Sequence, residues 1–224
     1  QVNYVTPAPI NACSPLIVNF ADNSASSQWL WDFGDGNSST VQNPSHVYTT
    51  AGTYTVILTA NNGSGSQDEV KTGYILVYPL PQPAFSVSTP PCNLPASVTV
   101  SNVQPSSGSY SYQWNFGNGQ NASGINPPAA NYSTEGTYPI VLTVTNNTTG
   151  CTNSITHNVS IYNYTAEFTP SVTTACVGSP VTFTNASSPG TTTNAWTFGN
   201  GQSSNGASPS VVYNTAGTYT VTLT

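Results

Sequence analysis

Trp31–Gly36 reads WDFGDG, Trp114–Gly119 reads WNFGNG and Trp196–Gly201 reads WTFGNG. The copies lie 83 and 82 residues apart (114 − 31 and 196 − 114), a fixed period that marks a tandem repeat. Within each block the Trp and the Phe two residues on share parity, so both point to one face of a strand. The Asp-Gly or Asn-Gly pair that follows (Asp35-Gly36, Asn118-Gly119, Asn200-Gly201) supplies the positive φ angles of a tight hairpin turn. Trp31, Trp114 and Trp196 therefore read as core anchors.

Working outward, a second block keeps the same register. Ala51–Thr59 (AGTYTVILT), Glu135–Thr143 (EGTYPIVLT) and Ala216–Thr224 (AGTYTVTLT) alternate apolar and polar residues, the pattern of a half-buried strand. Tyr54, Tyr138 and Tyr219 open that alternation and are further candidate core anchors. Upstream, CSPLIVNFADNS, CNLPASVTVSN and CVGSPVTFTNAS each begin with a cysteine. Short alternating strands separated by turn signals predict an all-β fold of tandem antiparallel sandwiches.

Composition agrees and excludes several classes of function. Charged residues make up 4% of the 224-residue chain, against roughly 25% in an ordinary soluble domain. Asn, Thr, Ser and Gly take their place, which favours turns and strands over helices. The formal net charge is −6 and Lys71 is the one basic residue apart from histidine. Nucleic-acid binding requires a Lys/Arg footprint and is excluded. Insertion into a membrane is not expected, because no apolar run approaches the ~20 residues of a spanning helix. The acids crowd the first third, leaving later surfaces nearly uncharged and suited to association with neighbouring repeats or copies of the chain.

The W-x-F-G-[DN]-G block, a Tyr further on (Tyr48, Tyr132, Tyr213) and the G-T-Y strand together resemble the PKD (polycystic kidney disease) domain. The resemblance covers essentially the whole chain, three times, and is closest in the first copy. It implies immunoglobulin-like sandwiches with extracellular or cell-surface spacer and interaction roles. The Asn/Thr-rich, Cys-bearing variant also resembles repeats of large Bacteroidota surface and gliding adhesins.

The repeats are expected at 1–78, 79–162 and 163–224. The junction YPLPQPAF (Tyr78–Phe85) has alternating prolines and IYNYTAEF (Ile161–Phe168) has no Pro or Gly, so a stiff, rod-like row is expected. Cys92 and Cys151 bracket the second repeat and are expected to pair. Cys176 would then lack a partner within the chain, as would Cys13, because the counterpart of Cys151 in the first repeat is Ser66. Thr224 aligns with Thr143, so the third repeat is expected to lack its last strand. Either the protein continues, or a neighbour's strand fills the gap, with QVNYVT at the start of the chain as a candidate donor.

Catalytic chemistry finds no constellation. His46 is replaced by Ala130 and Val211 in the other copies and reads as a turn-packing group, and His157 has no counterpart that would define a site. No cofactor is expected. Asp22, Asp32 and Asp35 form a candidate calcium set, beside the reading of Asp35 as a turn former and Asp32 as a solvated strand residue. The expectation is a non-catalytic structural or adhesive stalk of a large surface protein or filament, whose partners are surface glycans or proteins. The alternative is a carbohydrate- or collagen-binding accessory module of a secreted hydrolase. That role would favour an exposed aromatic row, but Trp29 and Tyr110 share the parity of the buried Trp on their strands.

Overall fold

The computed structural model describes residues 4–5, 10–189 and 193–224, whose regular structure is entirely β. By packing, the chain falls into two compact units, one built on residues 1–87, 100–128 and 139–157, the other on 88–99, 129–138 and 158–224. The first repeat holds β1 (Tyr4–Val5), β2 (Ile10–Cys13), β3 (Leu16–Asn19), β4 (Ala21–Asp22), β5 (Gln28–Asp32), β6 (Ser38–Ser39), β7 (Ser45–Tyr48), β8 (Gly52–Asn61) and β9 (Ser66–Tyr78). The second holds β10 (Ala84–Val87), β11 (Ala96–Val98), β12 (Val100–Gln104), β13 (Tyr110–Asn115), β14 (Asn121–Ser123), β15 (Ala130–Tyr132), β16 (Gly136–Asn146) and β17 (Thr152–Ile161). The third holds β18 (Phe168–Pro170), β19 (Pro180–Asn185), β20 (Trp196–Thr197), β21 (Ser203–Ser204), β22 (Ser210–Val212) and β23 (Thr222–Leu223).

The Trp-bearing strand pairs with the strand that carries or directly follows the GTY motif, in one register throughout. Trp31 lies opposite Leu58, Trp114 opposite Leu142 and Trp196 opposite Leu223. The resulting sheets run β2-β9-β8-β5-β6, β14-β13-β16-β17 and β21-β20-β23. A second, smaller pairing recurs as β3–β7, β11–β15 and β19–β22. In the first repeat β2 joins the larger sheet parallel to the end of β9, placing Cys13 beside Tyr78.

Burial follows the alternation. Val56, Leu58 and Ala60 of β8 are buried while Ile57 and Thr59 between them are not. In the first repeat Trp31 sits in a core with Phe20, Phe33, Tyr48, Ile75 and Val77. In the third, Trp196 and Phe198 pack with Val181, Phe183 and Val211. Trp114 is buried too, with Phe85 edge-on at 5.0 Å. Each Trp removes roughly 150–250 Å² from water, about 4–6 kcal/mol at 25 cal/mol per Å².

Tyr54, Tyr138 and Tyr219 are half-buried, not central. Their hydroxyls donate to the carbonyls of Thr50, Thr134 and Thr215, four residues back. Their rings lie 4.6, 4.6 and 4.3 Å from those of Tyr48, Tyr132 and Tyr213. A phenol needs a partner for its hydroxyl when it is partly buried, and these find one in the turn just upstream.

In the third repeat the larger sheet ends at β23 among the described residues. A groove of about 550 Å³ opens there, lined by Phe168, Val181, Phe183, Tyr213 and Val221 among others. The first repeat buries Ile75 and Val77 from its final strand, and the second Val159 and Ile161. Of QVNYVT, Tyr4 and Val5 pair with Asp22 and Ala21 of the first repeat; its other residues lie outside the described residues.

Candidate functional site

The repeated motif builds a three-residue loop, one residue longer than a two-residue hairpin turn. Phe33 N–H donates to Asn37 O at 3.1 Å, Phe116 to Gln120 at 3.1 Å and Phe198 to Gln202 at 3.2 Å. Both glycines of F-G-x-G take positive φ; in the second repeat Gly117 lies at +74° and Gly119 at +89°. The first glycine of each loop is there for space as well: a Cβ on Gly117 or Gly199 would stand 2.7 Å from a carbonyl oxygen of the neighbouring strand, that of Pro139 or Thr220. A Cβ on Gly34 would meet the Thr55 carbonyl in the same way.

The first copy adds charge to this loop. His46 Nε2 and Asp35 Oδ2 lie 2.8 Å apart, and the imidazole stacks on Phe33 at 4.1 Å. Asn37 donates to the same carboxylate through its backbone and its side chain. Burial alone would push the Asp35 pKa up, but the hydrogen bonds from His46 and Asn37 and the nearby imidazole outweigh it and hold it below the usual carboxylate value. Asp32 accepts from Gly34 N–H at 2.9 Å. Tyr48 beside them donates to Phe33 O at 3.0 Å, and burial, with the charges of Asp35 and Asp32, pushes its phenol well above the ordinary range.

Asp22 is 5% exposed. Its carboxylate accepts Trp29 Nε1 at 2.7 Å, Ser24 Oγ at 2.6 Å and Ser24 N at 3.0 Å. Desolvation opposes its ionisation, and these donors more than offset that, so its pKa is lowered. Each carboxylate of the candidate calcium set accepts hydrogen bonds from nearby protein donors, and the described residues contain no group of three or more His, Cys, Asp or Glu that could hold a metal ion. Trp29 is half-buried against the core with its indole N–H on Asp22, and Tyr110 is also half-buried, so neither stands in an open aromatic row.

Outer faces carry apolar side chains instead. Ile17 and Val47 lie opposite each other on the small sheet of the first repeat, 64% and 43% exposed. On its large sheet Leu30 and Val70 are 49% and 53% exposed.

The cysteines correct the sequence reading. Cys13 is bonded to Cys151, with Cα atoms 5.5 Å apart, while Cys92 and Cys176 are free and exposed. Cys13 is therefore not unpaired, and Cys92 is not the partner of Cys151. The reason lies in which connector each cysteine borders. Asn153, two residues after Cys151, donates to Pro81 O at 2.9 Å, so the β16–β17 turn is fastened to the connector preceding its repeat, where Cys13 lies beside Tyr78. Cys92 O accepts Tyr164 N–H at 2.9 Å, on the connector that follows the repeat.

The model of the PKD domain family matches residues 4–77, 81–161 and 165–224. The chain belongs to the PKD domain family. Every matched residue is thus PKD domain, a non-catalytic module. Over 52 residues the chain is 44% identical to Collagenase ColA of Bacillus cereus, and over 44 residues 46% identical to Collagenase ColQ1 of Bacillus cereus strain Q1. These alignments cover 23% and 20% of this chain and 5% of each collagenase, so the chain spans a small fraction of the length of the curated relatives it matches. Among solved structures it is similar to the fibronectin(III)-like modules of Clostridium thermocellum CbhA, at 17% identity and a TM-score of 0.32 over 73% of this chain and 94% of that one. It is also similar to an ICAM-5 D1-D4 ectodomain fragment, at 15% identity and a TM-score of 0.35 over 100% of this chain and 74% of that one. Likenesses this distant decide nothing about function.

Proposed function

We propose that these PKD domains are an accessory segment of an extracellular enzyme that degrades fibrous protein, binding substrate for a catalytic domain carried elsewhere. The observation that carries this reading is the 44% identity to Collagenase ColA within a chain that is otherwise all PKD domain. The Cys13–Cys151 disulfide supports an oxidising, extracellular setting. The exposed Ile17–Val47 pair and the scarcity of charge suit contact with a weakly charged protein surface. The test is co-sedimentation of the chain with fibrillar collagen, with chitin and cellulose in parallel. Saturable retention on collagen, weakened by Ile17→Ser with Val47→Ser, is the expected result; an unretained chain on collagen overturns it.

A spacer role is the second reading, favoured by the disulfide that joins consecutive domains. An adhesive stalk of a Bacteroidota surface protein rests on the resemblance alone; the curated relatives named above are Bacillus collagenases. In the spacer reading the partners are neighbouring repeats, other copies of the chain, or surface glycans. Concentration-dependent light scattering separates self-association from a monomeric spacer.

A further inference from the structure

Four Asn-Gly dipeptides occur in the chain: Asn62-Gly63, Asn118-Gly119, Asn200-Gly201 and Asn205-Gly206. In such a pair the glycine nitrogen can close on the asparagine Cγ, because the glycine has no side chain to screen the attack. The structure sets the four apart. At Asn62 and Asn205 the glycine nitrogen is engaged: Gly63 N–H donates to Asn61 Oδ1 at 2.7 Å and Gly206 N–H to Ser204 Oγ at 3.1 Å. Gly119 and Gly201 are exposed, and among the described residues their N–H groups donate to no protein acceptor. A Cβ on either of these two would meet nothing within 4 Å, so the space over the peptide is open to attack and to water.

The electrophile in these two loops is prepared as well. Gln120 N–H donates to Asn118 Oδ1 at 3.0 Å, and Gln202 N–H to Asn200 Oδ1 at 3.0 Å. Each bond closes a ring that contains both the asparagine Cγ and the glycine nitrogen, and its N–H stands where negative charge develops on Oδ1 during attack. Nδ2, the leaving nitrogen, donates to Gln120 Oε1 at 3.2 Å in one loop and to Gln202 Oε1 at 3.4 Å in the other. We propose that Asn118 and Asn200, in the F-G-N-G loops of the second and third domains, are self-modifying sites that deamidate to aspartyl and isoaspartyl residues without an enzyme. The glycine nitrogen gives its proton to solvent base and bonds to Cγ; the Cγ–Nδ2 bond breaks, and Nδ2 takes up a proton and leaves as ammonia. Water then opens the cyclic imide at either carbonyl, giving aspartate or a backbone rerouted through Cβ. Each conversion adds one negative charge to domains whose only acids are Glu135 and Glu167, and both together take the formal net charge from −6 to −8 (−6 − 2). An aspartate at 118 has the position of Asp35, but Ala130 replaces His46 there, so the imidazole that bonds Asp35 has no counterpart. This inference is independent of what the chain binds.

The test ages the intact chain in neutral buffer, folded in one arm and unfolded in urea in the other. Samples are digested with pepsin at low pH, which halts further imide formation, and fragment-ion mass spectrometry gives the converted fraction at each asparagine. In the folded chain Asn118 and Asn200 should convert about three- to tenfold faster than Asn62 and Asn205, the ratio set by one net hydrogen bond held on the glycine nitrogen. In urea the four rates should draw together. Either loop asparagine converting no faster than Asn62 and Asn205 in the folded chain, or the same order persisting in urea, overturns the proposal. Isoelectric focusing gives a second readout: the acidic shift of the aged, folded chain should largely vanish in Asn118→Gln with Asn200→Gln, and an undiminished shift overturns the proposal.

Discussion

Gly117→Ala and Gly119→Ala make a matched pair, because both positions hold positive φ, +74° and +89°, in the same loop. Each alanine carries about 1–2 kcal/mol for the left-handed conformation, reduced by about 0.4–1 kcal/mol through the stiffer unfolded chain. Their surroundings differ. At 119 a Cβ meets nothing within 4 Å; at 117 it would stand 2.7 Å from Pro139 O and 2.8 Å from Pro139 Cδ. Pro139 belongs to β16, two residues before Val141, which pairs with Asn115 of the Trp114 strand, so its backbone is tethered close to the ladder. Overpacking of this kind costs about 1–3 kcal/mol. Gly117→Ala should therefore destabilise the middle domain by about 1–3 kcal/mol more than Gly119→Ala, a gap of at least ~4 °C in Tm for a domain of this size. Scanning calorimetry gives the shift, and peptide-resolved amide exchange assigns it to the middle domain. Equal destabilisation by the two variants would refute the close-approach account of the motif.

Asp35 has a depressed pKa in the folded state, so its contribution is present above the ordinary carboxylate pKa and is lost as pH falls through the folded value. Urea midpoints of the first domain should thus drop on acidification from pH 5 to pH 2, and drop less in Asp35→Asn; an unchanged slope in that variant refutes the assignment. Asp22→Ala leaves the Trp29 indole N–H without its 2.7 Å acceptor and should cost about 1–3 kcal/mol, with Asp22→Asn milder, by denaturant unfolding. Peptide mapping without reduction should recover Cys13 linked to Cys151 and both Cys92 and Cys176 alkylated; a Cys92–Cys151 peptide would contradict the structure. In Cys13→Ser the Cys151 thiol should become alkylatable only on unfolding, since Cys151 is fully buried.

The Trp-x-Phe blocks were legible because their signal is local: two residues of one parity, a turn, and a second alternating strand within thirty residues. The register that sets Trp31 against Leu58 follows from that alternation and recurs unchanged. The cysteine pairing was not legible in the same way. Sequence alignment places Cys92 and Cys151 in one repeat, but which connector each borders depends on strand direction and on side-chain anchors such as Asn153 on Pro81. The tyrosines of GTY have the alternation of core residues, and their hydroxyls settle the matter by reaching back four residues, which leaves the rings half-buried. The loop after Phe33 is one residue longer than Asp-Gly alone suggests, because the preceding glycine also takes positive φ against the Thr55 carbonyl. The three aspartates looked like ligands by type, yet each has protein donors within hydrogen-bond distance.

The Cys13–Cys151 bond also changes how the chain would answer a pull on its two ends. It closes a loop with a sequence separation of 138 residues, so under tension the load bypasses everything between them. While the bond stands, that stretch can lose its strands without lengthening the molecule. Cutting it returns that stretch to the load path, where its complete unfolding would expose up to roughly 470 Å of contour at about 3.4 Å per extended residue. A single thiol–disulfide exchange would thus make a shielded segment extensible by unfolding, a step that a force trace recorded with and without reductant would register directly.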